Sequence, residues 1–136
     1  FTAAALATGA RLEYRWGEKA YAPLQTNHAL AELFTANLGS LGYDVEMLDS
    51  SLGLGSTDMG NVSQVVPAIH PSIAIAPQDV ILHSSEFAQA AASERGDQGL
   101  VDSAKALAMT VVDLLGQAEA LERVAGEFSE VAKAPV

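Results

Sequence analysis

The sequence predicts an α/β fold, and three observations predict it. Two regions carry apolar residues at helical spacing: Leu30, Leu33, Phe34, Leu38 and Leu41, and a longer C-terminal stripe from Leu100 to Leu115. Between and before them lie short alternating or β-branched segments bounded by Gly and Pro, the pattern of strands. The order along the chain is helix, strand, helix, strand, loop, strands, helices, which is an α/β order without a complete doubly wound domain.

Each element has its own local reason. Phe1 to Gly9 is alanine-rich and ends in a glycine, as the last turns of a helix do. No N-cap or polar first turn precedes it, so upstream residues are expected to have been removed; a frayed natural terminus is the alternative. Arg11 to Trp16 alternates polar and apolar and reads as a half-buried strand. Gly17 to Thr26, polar and containing Pro23, reads as a linker. Thr26 or Asn27 caps a helix that runs to about Leu41 and stops at Gly42. Tyr43 to Leu48 is a short strand, and Asp49 to Asn61 a Gly/Ser-rich loop. Val62 to Ala76 reads as two short strands with a bend, because Pro67 and Pro71 cannot sit inside a central ladder. Val80 to Leu82 is a further apolar piece, and Ser85 to Ala92 a short helix. Leu100, Val101, Ala104, Leu107, Ala108, Val111, Val112 and Leu115 form one helical stripe. After Gly116, Leu121, Val124, Phe128 and Val131 form a second.

Composition narrows the function. With 136 residues the chain is within the size of one domain, long enough to bury roughly two-thirds of its surface. Apolar residues at 49% and charged residues at 18% argue against wholesale disorder. The formal net charge of −10 argues against a phosphate-backbone or anionic-membrane binder. Zero cysteines exclude disulfide scaffolds, thiolate metal sites and cysteine nucleophiles within this segment. No apolar run has the length of a membrane span and no basic leader is visible, and the expected location is the cytoplasm.

The loop from Ser51 to Ser63 is the first candidate for chemistry. Its glycines permit close backbone approach to a ligand, and Ser56, Thr57 and Asp58 supply polar groups; the alternative is a surface turn. A P-loop needs a Lys before its Ser/Thr, and none is present. Gly53, Gly55 and Gly60 have the wrong spacing for a dinucleotide fingerprint and are read as leading into a strand. Gly55-Ser56 breaks the nucleophile-elbow pattern, leaving a serine hydrolase through Ser56 as a weak alternative. No Lys or Arg occurs between Lys19 and Arg95, so the loop has no cation of its own for an anionic ligand.

Three histidines remain. His28, in a first helical turn, reads as a solvated or capping residue. His70, in Ile69-His70-Pro71, is either a structural histidine or a cleft-lining one. His83 stands at the end of an apolar segment, where loops carry function. Zinc takes three or four protein ligands, and His83 has no second His or carboxylate at i+2 or i+4, so any metal it binds needs ligands from elsewhere.

Gly55 to Pro71, followed by Leu82-His-Ser-Ser-Glu-Phe87, resembles the zinc-dependent amidohydrolases and metallopeptidases that include aminoacylases, carboxypeptidase-G-type enzymes and carnosinase-type dipeptidases. The nearest branch is the p-aminobenzoyl-glutamate hydrolase and β-alanyl-lysine dipeptidase group. Asp102 to Thr110 is similar to the family's closing helix. Members are much longer, with a two-metal catalytic α/β domain and an inserted lid, or dimerisation, domain. The resemblance implies that residues 1–18 are a remnant of that lid and residues 19–136 the C-terminal half of the catalytic domain.

The resemblance also implies roles. His83 matches the last metal ligand, a neutral imidazole on one of two divalent ions, zinc or else manganese or cobalt. Gly55, Ser56 and Thr57 match the loop facing the substrate's carboxylate end. Asp58 is expected to fix that loop through hydrogen bonds rather than to bind metal, and His70 is a possible cleft-lining residue. The family's His-x-Asp pair and the Glu-Glu pair holding its general base have no match in this sequence. The expected activity is therefore that of a longer homodimeric enzyme, which hydrolyses the amide bond of an N-acyl amino acid or small dipeptide by metal-activated water. This chain alone is expected to be inactive. The alternative is a non-catalytic binding or oligomerisation module derived from the same fold.

Overall fold

Asn27 shows how local chemistry starts the first long helix. Its side-chain Oδ1 accepts from the Leu30 N–H at 2.9 Å, satisfying one orphan donor of α2, His28–Ser40. In this computed structural model, which describes residues 1–17, 20–45 and 57–131, five further helices occur. They are α1 (Thr2–Thr8), α3 (Met59–Ser63), α4 (Ser85–Ala91), α5 (Glu94–Gly116) and α6 (Ala118–Val131). Ser84 and Ser93 cap α4 and α5 in the same way, their hydroxyls accepting from Phe87 N–H and Gly96 N–H. Glu94 and Asp97 add negative charge to the positive end of α5. Gly9 and Gly42 close α1 and α2 in the left-handed region.

The core lies where α2, α5 and α6 meet. Phe34 and Leu38 of α2 pack on Ala106 of α5, which is fully buried, with Leu41, Tyr43, Val45, Ile69 and Ile73 around them. Ala106 at the centre lets α2 approach α5 closely. Asn37 of α2 donates to Thr110 Oγ1 at 3.1 Å and to Asp113 Oδ2 at 2.7 Å, fixing the register of the pair. Helix α6 docks through buried Ala120 and Val124. Its Glu127 carboxylate accepts from His28 N–H at 2.7 Å and Ala29 N–H at 2.8 Å, while Asn27 Nδ2 donates to the Val124 carbonyl at 3.0 Å. One acid on α6 thereby satisfies two of the four free donors of α2 and sits in its helix dipole.

Two irregular segments complete the packing. Residues 20–25 lie across α3: Asn61 donates to the Ala20 carbonyl and accepts from Ala22 N–H, Ser63 Oγ accepts from Gln25 N–H, and Gln64 donates to the Pro23 carbonyl. The extended stretch 67–75 passes over α5, with Ile73 and Ile75 against the space left by Gly99 and the Ala74 carbonyl accepting from Arg95. Helix α1 has no buried residue and packs on no other helix. No helix of the described residues is long and apolar enough to cross a membrane.

The expected strands do not form among the described residues, so the α/β reading finds no support there; the regular structure is all helical. Residues 11–16 and 67–75 carry strand-like patterns yet have no ladder partner among the described residues, and an extended segment becomes a strand only by pairing; residues 80–82 instead lie in a turn, with Val80 N–H donating to the Pro77 carbonyl. The run beginning at Val62 is a correction of a different kind. Met59–Ser63 is helical and Gln64 and Val65 form a turn, because the polar contacts of Asn61, Ser63 and Gln64 to residues 20–25 outweigh a weak β preference. The glycine-rich loop thus leads into a short helix, not a strand. The expected strand at 43–48 and the loop at 49–61 lie partly outside the described residues. The α5 stripe is present as read, but it points outward: Leu100 is 71% exposed, Leu107 48% and Leu115 84%. The face packed on the core is the small and polar one, Gly99, Asp102, Ala106 and Thr110.

Candidate functional site

The Gly/Ser loop enters the described structure at Thr57. Thr57 Oγ1 accepts from Met59 N–H at 3.3 Å, and the Thr57 carbonyl accepts from Gly60 N–H. Asp58 stands at the start of α3, where its backbone carbonyl accepts from Asn61 N–H and Val62 N–H. Its carboxylate makes no capping bond to that helix. Gly60 is buried beneath the Ala22 carbonyl, so the loop's exit is held against residues 20–25. Gly55 and Ser56, the other two residues expected to face a substrate, lie outside the described residues.

His83 sits on the surface with φ +66°, the only non-glycine in the left-handed region among the described residues. That conformation costs an L-residue about 1–2 kcal/mol. Its cause is local: Ser84 must adopt an extended conformation to cap α4, and the Ser84 N–H is tied back to the Ile81 carbonyl at 3.2 Å. Three residues on, the Glu86 carboxyl is held below the usual carboxylate range by its own backbone N–H and by the hydroxyls of Ser85 and Ser84. His70 is exposed within the extended stretch, two residues after Ala68, whose carbonyl accepts from Asn27 N–H.

No three His, Asp or Glu side chains converge to hold a metal ion among the described residues. A lone exposed imidazole does not make a metal site, so these residues do not fit the two-ion centre by themselves. The structure keeps the loop exit and the His83 turn on defined supports without assembling a catalytic constellation from them.

The densest polar network is one that the sequence reading missed. Asp102, buried on α5, accepts from Gln98 Nε2 at 2.7 Å, Lys105 Nζ at 2.9 Å and Tyr43 Oη at 3.0 Å. The Gln98 and Lys105 hydrogen bonds pull its carboxyl from 3.8 to about 2. Desolvation and the hydrogen bond to the Asp102 carboxylate push the Tyr43 phenol above its ordinary value. Gln98, Asp102 and Lys105 at i, i+4 and i+7 were a visible same-face pattern. Its role is to tie the residues after α2 to α5. A shallow depression lined by Gln25, Thr26, Asn27, Glu127 and Phe128 lies at the α2–α6 corner, where Glu127 already occupies the helix end.

No family model matches the chain. It is 37% identical over 130 residues to the human Xaa-Arg dipeptidase and 38% identical over 130 residues to the mouse Xaa-Arg dipeptidase. Each alignment covers 94% of this chain and 30% of the relative. The chain is therefore similar, along nearly all its length, to a stretch amounting to less than a third of a dipeptidase.

Proposed function

We propose that the chain is the C-terminal part of a metal-dependent dipeptidase or amidohydrolase, in which residues 1–18 end a lid domain and residues 19–136 belong to the catalytic domain. The observation that carries this reading is the 37–38% identity to Xaa-Arg dipeptidases, sustained over 130 residues rather than confined to one motif. The reaction is hydrolysis of the amide bond of a small dipeptide or N-acyl amino acid. Dipeptides ending in a basic residue are the first substrates to test, and the acidic balance of 17 acids to 7 bases suits a cationic side chain.

Within that enzyme His83 supplies one imidazole to a metal set whose other members lie in the rest of the polypeptide. The left-handed turn before Ser84 serves to aim it. The backbone and hydroxyls of residues 55–57 face the substrate carboxylate, with Asp58 and the α3 contacts holding the loop exit in place. The enzyme uses two divalent ions, zinc or else manganese or cobalt, works as a homodimer and is cytoplasmic. The isolated chain hydrolyses nothing, because it carries no general base for the reaction.

The test begins with the gene. The reading frame upstream of Phe1 is expected to encode His-x-Asp and Glu-Glu motifs; a start codon immediately before Phe1 would end the proposal. The full-length protein is expected to release the C-terminal amino acid from dipeptides. His83→Ala is expected to lower both bound metal and kcat/KM, by at least about 100-fold for the latter. Unchanged metal content and activity would remove His83 from the ligand set.

A further inference from the structure

The Asp102 network does more than the joint between α2 and α5 requires. Two of the three donors on its carboxylate come from its own helix: Gln98 Nε2, one turn before it, and Lys105 Nζ, one turn after it. They hold the carboxylate in one orientation on α5. The third donor, Tyr43 Oη at 3.0 Å, comes from another part of the chain. Among the described residues the register of α2 on α5 is already fixed without it, by Phe34 and Leu38 on Ala106 and by Asn37 on Thr110 and Asp113. Burying a carboxylate is costly, and an apolar side chain of similar size often serves a joint as well. What the carboxylate adds is a fixed point for residue 43.

That point stands where the chain leaves α2 for the Gly/Ser loop. Gly42, at φ +92°, turns the chain at the end of the helix, and Tyr43 N–H reaches back to the Leu38 carbonyl at 3.4 Å. The Tyr43 ring packs against the Phe34–Leu38–Ala106 cluster while its hydroxyl reaches Asp102. At the far end of the loop, α3 is held against residues 20–25 through Asn61, Ser63 and Gln64. The segment between carries residues 55–57, the proposed contacts to the substrate carboxylate. We propose that Asp102 is a positioning residue for substrate binding: it acts through the Tyr43 hydroxyl to fix the entry of that segment, as the α3 contacts fix its exit. This role rests on the reading of the chain as part of a dipeptidase. It belongs to the binding of the substrate's carboxylate end and not to the bond-breaking step, so its signature is a raised KM with kcat retained.

The experiment compares Tyr43→Phe, Asp102→Ala and Asn37→Ala in the full-length protein. Tyr43→Phe keeps the ring against the core and removes the hydroxyl alone. Asn37→Ala loosens the same two helices without touching Tyr43 or Asp102, and is the control for a purely structural role. Steady-state kinetics with alanyl-arginine give KM and kcat, and mass spectrometry gives amide hydrogen exchange over residues 44–57. Tyr43→Phe and Asp102→Ala are each expected to raise KM about 3–10-fold, with kcat within about twofold, and to speed the exchange by a similar factor. The double variant is expected to be no worse than either single one. Asn37→Ala is expected to lower the urea midpoint and leave KM and exchange as in wild type. An active Tyr43→Phe enzyme with wild-type KM overturns the proposal, as does a fall in kcat at constant KM. Asn37→Ala raising KM as much as Tyr43→Phe overturns it too, because loosening of the helices is then the cause. A wild-type protein that hydrolyses no dipeptide, with exchange still faster in Tyr43→Phe, refutes the dipeptidase reading while the Tyr43 tether stands.

Discussion

Gly60→Ala tests whether the structure, rather than helix propensity, governs the end of the Gly/Ser loop. In an open helix, alanine in place of glycine stabilises by about 0.5–1 kcal/mol. At residue 60 the new Cβ would overlap the Ala22 carbonyl oxygen and stand 2.9 Å from its carbon. Both are backbone atoms and cannot swing aside. Restoring ordinary contact requires α3 and residues 20–25 to part by more than about 1 Å. That movement stretches the Ser63–Gln25 bond at 2.9 Å and the Gln64–Pro23 bond at 2.8 Å beyond useful geometry. Each is worth about 0.5–1.5 kcal/mol net, and Ser63 is only 1% exposed, so a hydroxyl left with one bond fewer gains little from water. After subtracting the propensity gain, a net loss of about 2 kcal/mol is expected. In urea unfolding of the full-length protein followed by far-UV circular dichroism, the midpoint should fall by roughly 1 M. Gly39→Ala, in α2 with nothing within 4 Å of its Cβ, is the control and should raise the midpoint. A Gly60→Ala midpoint at or above wild type would refute the placement of α3 beneath residues 20–25.

Other perturbations read other joints of the structure. The Asp102 carboxyl titrates near 2 in the folded chain, so its contribution is fully present above about pH 4 and is lost as pH falls from 4 to 2; Asp102→Asn should flatten that part of the stability–pH curve. A curve with the same acid limb in both proteins would exclude the Gln98–Lys105–Tyr43 network as its source. Asn27→Ala removes the α2 cap and leaves the Val124 carbonyl without its donor, for an expected loss of about 1–2 kcal/mol, measured by urea midpoint. His83→Gly should be more stable than His83→Ala by about 1 kcal/mol, since only the alanine retains a Cβ in the left-handed region. Both should lose metal equally if the imidazole is a ligand.

The helices were legible because their signals are local. Asn27 announces one start, Gly9 and Gly42 two stops, and the 3.6-residue period most of the rest; the Ser84 and Ser93 caps went unread, so α5 begins at Glu94, six residues before the stripe that revealed it. Helix α3 was not legible: Val62, Val65 and Val66 look like a strand, and what makes the segment helical is contact with residues almost 40 positions earlier. The site was legible only in outline. The residues around His83 carried a family resemblance, but neither its positive φ nor the cause of it can be read from a dipeptide pattern. Asp102 was overlooked because an acid on a helix usually faces water, and only the fold brings Tyr43 to it.

The strands that failed to form and the stripe that failed to be buried have one physical explanation. Period-2 and period-3.6 patterns record which side of a segment wants a partner; they do not supply that partner. Among the described residues, 11–16 and 67–75 offer backbone without a ladder, and α5 offers large apolar side chains without a cover. Within the chain, α5 is held by its small face, through Ala106 and the polar contacts of Asp102 and Thr110, which suffices to place it against α2. A helix that had only this domain to serve would carry its leucines on that side. The leucines instead stand about a third of a turn away, and the extended backbone beside α5 is unpaired among the described residues.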